Sequence, residues 1–353
     1  MALFQASIFS ESKYESDQPV TTSFKLTNLS QEPMRVLKWF TPLEGMWSDC
    51  LLVIRDGERV PYDGPLAKRG TPTPDDFVTL PPGQSVQTEL AVHEAYQVST
   101  PGTYSVSADT EIQAVPVAEL ALFSSLEFDS QGAETALFKQ NLRQPISDAA
   151  TNFVVAEAGP RVLTAGERVR EAQFNFMANS AQFKIGPVAG SALAPQFNGG
   201  TPSEQTETQQ AHFDGYALAQ AALSSLKNNA PYAEWFGLHS QTRFQVVHDH
   251  YSKIISDMEQ KPFTYDLTGQ GCRPGVYAYT YKNTTTIWMC DQFWKSPATG
   301  TDSKAGTIVH EHSHASSGTD DLAYGQGNCR QLAISDPDKA VRNADSHEYY
   351  AKG

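Results

Sequence analysis

The chain of 353 residues lacks several features that define common classes of protein. It has no apolar run of about 18 residues, so no segment is expected to span a membrane. It carries 26 basic against 40 acidic side chains, a net charge of −14, and no basic cluster, which argues against nucleic acid as a partner. Only four cysteines are present, too few for a disulfide scaffold but enough for two bridges.

The first five residues, Met-Ala-Leu-Phe-Gln, also lack the charged and apolar regions of a secretory signal. We expect a secreted protein from which a signal was removed and to which an initiator Met was added, with a cytosolic protein as the alternative. The length is sufficient for two domains that each bury a core.

The most informative stretch is a His-Glu-x-x-His motif that starts at His310 and ends at His314, in a segment typical of helix. Residues four apart share a helix face, so the two imidazoles can bind one zinc ion. Glu311 would then lie beside the ion's open position, where a carboxylate can take a proton from water and pass it to a leaving amine. The motif predicts a metallopeptidase with one catalytic zinc ion that acts on proteins or peptides.

The motif needs a third zinc ligand, and the residues downstream offer several carboxylates. In one kind of site the ligand stands six residues after the second His, where Asp320 lies, but the Gly expected three residues after that His is replaced by Ser317. In another kind the ligand comes from a later helix, and Asp345 or Glu348 could serve. These motif spacings leave both alternatives open.

The pattern Gly-Thr-x-Asp-x-x-Tyr-Gly at residues 318–325 resembles the aspzincin family, the deuterolysins and the fungal peptidyl-Lys metalloendopeptidases. The resemblance covers about residues 197–351. Further segments that carry it are Phe197-Asn198-Gly199, Trp235-Phe236-Gly237, Phe293-Trp294-Lys295 and the stretches 300–303, 336–341 and 343–349. It implies that Asp321 is the third zinc ligand and that Tyr324 takes part in catalysis, where a phenol could hydrogen-bond the oxyanion.

The resemblance also implies a substrate preference. Two carboxylates with one cation between them are favourable, whereas two that face an apolar pocket repel each other. Asp345 and Glu348 match acids of the family that are associated with a lysine just after the cleaved bond. Trp288 stands where the family has a substrate-groove Tyr.

Cys272 and Cys290 bracket two alternating runs of β-branched and aromatic residues that are typical of a hairpin. A disulfide at the base of such a hairpin is geometrically natural, and the same pair is bridged in the fungal relatives. Cys50 and Cys329 lack partners in the family. They could bond each other, Cys50 could be a thiol directed at the zinc, or both could be buried free thiols.

The first half of the chain differs in pattern from the second. Residues 1–115 contain short alternating runs between Pro-Gly and Asp-Gly turns, which predict an all-β sandwich of immunoglobulin-like type. This part resembles the propeptides of the peptidyl-Lys branch, so we expect it to act as an intramolecular inhibitor. Residues 116–183 are predicted to be the linker and processing region, with a helix near 132–142.

Residues 184–353 are predicted to form an α+β zincin-like metallopeptidase domain. Helical patterns lie near 203–228 and 240–258, and a last helix that carries Asp345 and Glu348 is predicted to start at Pro337. The whole chain is therefore expected to be a two-domain proenzyme. The alternative is a secreted binding protein with a structural or vestigial zinc site, although a structural zinc normally has four protein ligands.

Two further predictions concern latency. In segment 38–47, Trp39 and Trp47 could anchor a plug for the active site, with Lys38 as a decoy cation. The alternative is that these aromatic side chains fill the core of the sandwich. If the enzyme cuts before lysine, its own maturation is expected to use the bond between Phe183 and Lys184.

Overall fold

The computed structural model describes residues 3–118, 143–145, 149–157 and 191–352. In the amino-terminal part, alternating apolar side chains produce strands, since successive side chains of a strand point to opposite faces. The strands are β1 (Phe4–Ser10), β2 (Lys13–Glu15), β3 (Thr21–Asn28), β4 (Met34–Leu37), β5 (Leu51–Arg55), β6 (Glu58–Val60), β7 (Leu66–Arg69), β8 (Phe77–Leu80), β9 (Ser85–Ala91), β10 (Gly102–Ala108), β11 (Glu111–Pro116), β12 (Arg143–Pro145) and β13 (Ala150–Ala156).

All of these strands except β7 form three sheets, with the orders β1-β3-β9, β2-β13-β10-β5-β6 and β12-β11-β4-β8. They enclose one apolar core, to which β3 contributes Phe24 and Leu26 and β10 contributes Tyr104. The predicted β-rich amino-terminal part is confirmed, and its identity as an immunoglobulin-like sandwich stays a prediction.

The strands of this part continue past residue 115, where its end was predicted, and the domain boundary stays a prediction. Strand β13 pairs antiparallel with β10, and Phe153 stacks on Tyr104 with ring centroids 5.2 Å apart. The reason is a pairing between segments distant in sequence, with Phe153 and Val155 buried on one face of β13. The helix predicted near 132–142 and the bond between Phe183 and Lys184 lie outside the described residues.

The carboxy-terminal part is mixed α and β, as predicted. Its elements are β14 (Gln196–Asn198), α1 (Pro202–Ser225), α2 (Ala230–Phe236), α3 (Gln241–Gln260), β15 (Thr264–Asp266), β16 (Val276–Thr280), β17 (Thr286–Met289), α4 (Asp291–Lys295), α5 (Lys304–Ser317), α6 (Gly325–Ser335), α7 (Pro337–Ala340) and α8 (Ala344–Lys352). Both long helices predicted from their patterns are present as α1 and α3. In the part of the chain that the structure describes, no helix combines the length and apolar character needed to cross a membrane.

The sheet of this part has the order β14-β15-β17-β16-β7, so an amino-terminal strand completes it. Strands β16 and β17 form the predicted hairpin. Cys272 and Cys290 are joined by a disulfide with a Cα–Cα distance of 5.5 Å. Cys50 and Cys329 are free and buried in different cores, so among the described residues the alternative of two buried thiols holds.

Helix α5 carries the His-Glu-x-x-His motif through the centre of this part, packed by α1, α3 and α8. Ser303 caps its first turn by accepting from the amide of Gly306, and Gly318 ends it in a left-handed conformation. Close packing requires a glycine on α1, because a Cβ on Gly215 would lie 2.6 Å from Ile308.

The single last helix predicted from Pro337 is instead two helices. Helix α7 ends at Ala340, and α8 begins at Ala344. The chain breaks between them because Asn343 bonds to the segment around Asp320: its side-chain oxygen accepts from the amides of Leu322 and Ala323 at 2.9 and 3.0 Å. The break therefore fixes the loop that follows α5.

Candidate active site

Three side chains converge on one buried point. His310 and His314 lie one turn apart on α5, and their Nε2 atoms are 3.0 Å apart. Asp321, on the loop after Gly318, brings Oδ1 within 3.2 and 3.3 Å of these two nitrogens. Of the alternatives for a third ligand, Asp321 is the one that meets both imidazoles, whereas Asp320 is ion-paired with Lys282.

The orientation of the imidazoles fits a metal ion. Nδ1 of His314 donates to the carbonyl of Thr319 at 2.9 Å, and Nδ1 of His310 lies 2.8 Å from Oδ1 of Asp345. With protons on the Nδ1 atoms, both Nε2 atoms face Asp321 as lone-pair acceptors, and Oδ1 of Asp321 has no hydrogen-bond partner among the described residues. Three buried acceptors that face one another need a cation between them, and two imidazoles with a carboxylate suit zinc.

Glu311 lies beside this triad without belonging to it. Its Oε1 accepts from the amide of Lys68 at 3.3 Å, and its Oε2 is buried with no partner in the described ranges. Burial raises the pKa of Glu311 to about 7, against the opposing effect of the two histidines. A carboxylate with such a pKa can both accept and return a proton.

Tyr324 reaches the same site from the loop that ends where α6 begins. Its hydroxyl donates to the carbonyl of Ala67 at 2.8 Å. Its ring stacks on Phe40 and meets Trp39 edge-on, with centroids 5.1 and 5.7 Å away. The phenol is therefore held as a donor toward a peptide carbonyl at the metal site.

The two acids on α8 surround a cation, which is Lys68 of β7. Its side chain is fully buried, with Nζ 2.5 Å from Oε2 of Glu348 and 3.6 Å from Oδ1 of Asp345. Burial acts to lower the pKa of Lys68, but the surrounding carboxylates raise it well above its usual value. This side chain is therefore a buried ammonium, the kind of group that the acid pair was predicted to hold.

A third acid and two aromatic rings complete this pocket. Oδ1 of Asp302 lies 3.3 Å from Nζ of Lys68 and accepts from the hydroxyl of Tyr349 at 3.0 Å. The ring centroids of Tyr277 and Tyr349 are 5.2 and 5.8 Å from the ammonium. We call the pocket formed by Asp302, Asp345, Glu348, Tyr277 and Tyr349 the ammonium pocket.

The three residues of the predicted plug lie in different surroundings, and their role as a plug stays a prediction. Trp39 packs against Tyr324 as described, and Trp47 meets Tyr279 with centroids 5.3 Å apart. Lys38, however, lines a surface cavity with Asp75 and Asp76, because the turn after β4 is held by bonds from Thr41 to the Lys38 carbonyl. The cation in the site comes from β7 instead.

Trp288 lies on β17 and stacks on Tyr279, with centroids 5.1 Å apart. It belongs to an apolar cluster with Ala67 and Trp47, and does not line the ammonium pocket. Its role in a substrate groove stays a prediction.

Sequence reasoning missed three residues of the site. Asp302 stands in the segment 300–303, and Asn343 begins the segment 343–349. Both segments carry the family resemblance, but the sequence indicates no role for either residue. Lys68 has no signal in the sequence, since its role depends on where β7 pairs.

The chain is similar to proteins of one known family. A family model described as lysine-specific metallo-endopeptidase, of the aspzincins, matches residues 221–352. The chain is 35% identical over 345 residues to an extracellular protease of Aeromonas hydrophila, covering 96% of this chain and 89% of that protein. It is 40% identical over 163 residues to a peptidyl-Lys metalloendopeptidase of Grifola frondosa, covering 44% of this chain and 46% of that one. A solved zinc peptidase from Grifola frondosa is 39% identical over 43% of this chain and 96% of its own, with a TM-score of 0.41.

Proposed function

Because the chain belongs to the aspzincin family of zinc metalloendopeptidases, we propose that it is a secreted proenzyme that cuts peptide bonds on the amino side of lysine and is kept latent by its amino-terminal part. The observation that carries the lysine preference is the ammonium pocket beside the triad: three carboxylates surround one buried ammonium. The name of the Aeromonas relative supports secretion.

His310, His314 and Asp321 would hold the zinc ion, which when bound would acidify water and polarise a peptide carbonyl. Glu311 takes a proton from the attacking water and returns it to the leaving nitrogen, so that a carboxylic acid and an amine result. The hydroxyl of Tyr324 donates to the carbonyl oxygen as it gains negative charge. Three protein ligands beside a carboxylate favour this chemistry over a structural zinc, which normally has four.

The ammonium pocket would receive the side chain of the lysine that follows the cleaved bond. A buried ammonium is stable only with paired charges, whereas an apolar side chain there would leave the acids uncompensated. Latency is supported by Trp39, Trp47 and β7, which all lie against the catalytic residues or their sheet. In this proposal, residues 184–353 form the catalytic part.

The test compares the wild-type chain with Glu311→Gln and with Glu234→Gln, whose carboxylate forms an exposed ion pair with Arg330. We expect all three to contain zinc, and only Glu311→Gln to fail to digest casein after incubation. Mass spectrometry of the digest should find lysine at the new amino termini. A digest dominated by apolar residues after the cut would refute the lysine preference, and normal digestion by Glu311→Gln would refute the role of that carboxylate.

A further inference from the structure

The strand Leu66–Arg69 of the amino-terminal part adds to the edge of the catalytic sheet. It pairs antiparallel with β16, with Tyr279 opposite Ala67 and Ala278 opposite Lys68. The pairing continues past the strand, where the amide of Gly70 donates to the carbonyl of Gly275 at 3.0 Å. Extended peptides bind sheet edges in this way, with the backbone bonds giving affinity and side-chain pockets giving specificity.

The peptide bond between Ala67 and Lys68 lies across the catalytic groups. Its carbonyl oxygen accepts from Tyr324, and its nitrogen faces Glu311. The amide of Ala67 donates to Oδ2 of Asp321 at 2.8 Å. In hydrolysis the carbonyl oxygen gains negative charge and the nitrogen gains a proton, so each atom of this bond faces the group that the reaction needs.

We propose that Leu66–Arg69 is a pseudosubstrate: Lys68 fills the ammonium pocket in place of a substrate lysine, and this contact is what makes the amino-terminal part an inhibitor. The inference rests on the proposed function for its reaction, but the occupation of the cleft is a separate claim. It also assigns Asp302 to the substrate site, because this carboxylate contacts the ammonium together with Asp345 and Glu348.

Both flanks of the bond are anchored in the amino-terminal part. Leu66 belongs to its apolar core, and the hydroxyl of Tyr62 donates to the carbonyl of Pro65. On the other side, the guanidinium of Arg69 lies 2.7 Å from Oε2 of Glu44, and both groups are buried. Water added across the bond would leave a carboxylate on Ala67 and an ammonium on Lys68, but neither end could diffuse away. The cleft therefore stays occupied whether or not this bond is cut.

The test replaces Lys68 by Ala in the full-length chain, with Lys38→Ala as the matched control. To separate binding from chemistry, amide hydrogen exchange is measured in a Glu311→Gln background. Lys68→Ala removes one partner from a buried cluster of charges. We expect this to raise the fraction of molecules in which β7 has left the cleft by roughly 30-fold or more. We expect the amides of β16 to lose protection in Lys68→Ala but not in Lys38→Ala, while those of β3 and α1 keep it in both and report intact folding.

Activity gives the second readout, with Glu311 intact and a lysyl fluorogenic peptide as substrate. Lys68→Ala should show an initial rate at least about tenfold above that of wild type and Lys38→Ala. Unchanged protection of β16 in Lys68→Ala overturns the pseudosubstrate. If that protection is lost but no variant is active, the result supports the pseudosubstrate contact and refutes the proposed function.

Discussion

The two carboxylate oxygens of Asp321 face different partners. Oδ1 faces the two imidazoles, while Oδ2 accepts from the amide of Ala67. The sequence alone does not distinguish Asp321 from Asp320, because both are aspartates in the same loop. They differ in the direction in which each side chain points, which depends on the fold. The family resemblance implies Asp321, and its role as a zinc ligand stays a prediction.

We predict that Asp321→Ala loses both zinc and activity. Removal of a ligand should weaken zinc binding by more than about 100-fold, the upper range found when only a supporting contact is removed. The measurement is the zinc content of purified protein after dialysis. Asp320→Ala is the matched control and should keep its zinc, since Asp320 pairs with Lys282 and Arg342. Equal zinc in wild type and Asp321→Ala would require another third ligand.

At the scale of elements, the pattern predicted the helices and the hairpin because their side chains repeat with the helix or strand period. The break between α7 and α8 was not predicted, since residues 337–352 contain no Gly or Pro after Pro337. The break depends on a tertiary contact, the bond from Asn343 to the loop of Asp321. Local pattern carries no information about such a contact.

Asn343→Ala should therefore disturb the metal site from a distance. It leaves the amides of Leu322 and Ala323 without their acceptor, and each buried unsatisfied amide costs about 1–3 kcal/mol. We expect a lower free energy of unfolding and about 10- to 100-fold weaker zinc binding, the effect of losing a supporting contact. Denaturant unfolding and zinc titration measure both, with the exposed Gln331→Ala on α6 as control. Unchanged zinc affinity would show that the loop holds its shape without this bond.

Asp345 and Glu348, the two acids of α8, should differ in their effects on zinc binding and on lysine preference. Asp345 lies 2.8 Å from Nδ1 of His310 and accepts from the amide of Gly325, whereas Glu348 lies 3.7 Å from that nitrogen and makes its short contacts with the ammonium groups of Lys68 and Lys352. Glu348→Gln should lower kcat/KM for lysyl peptides by roughly one to two decades and leave zinc content unchanged. Asp345→Asn should reduce lysine preference and zinc retention together. Zinc retention in Asp345→Asn equal to that of wild type would mean that Asp345 does not support His310.

At the scale of the whole molecule, the sequence predicted a β-rich first part and an α+β second part, but not how they meet. The pairing of β13 with β10 and of β7 with β16 joins segments far apart in sequence. Short strands pair wherever their edges and side chains fit. The alternation of apolar and polar residues predicts a strand but does not indicate which other strand it pairs with. This is why the sequence indicated neither the pairing of β13 with β10 nor the position of Lys68.

In the proposed proenzyme, the occupied cleft determines how maturation can occur. We predict a cut between Phe183 and Lys184 that yields an enzyme starting at Lys184. Because Lys68 fills the ammonium pocket of its own molecule, the bond must be cut by a second molecule whose cleft has opened. The initial rate of processing should then rise with the square of protein concentration, and Lys68→Ala should mature faster than wild type.

Amino-terminal sequencing and gel densitometry over a concentration series measure this, with Glu311→Gln as the control that should stay full length when purified alone. In a mixture, a catalytic amount of wild type should process Glu311→Gln, since a substrate molecule needs no working carboxylate of its own. A rate constant that does not change on dilution would mean that each chain cuts itself. That result would require Lys68 to leave the pocket while residues 183 and 184 of the same molecule enter it.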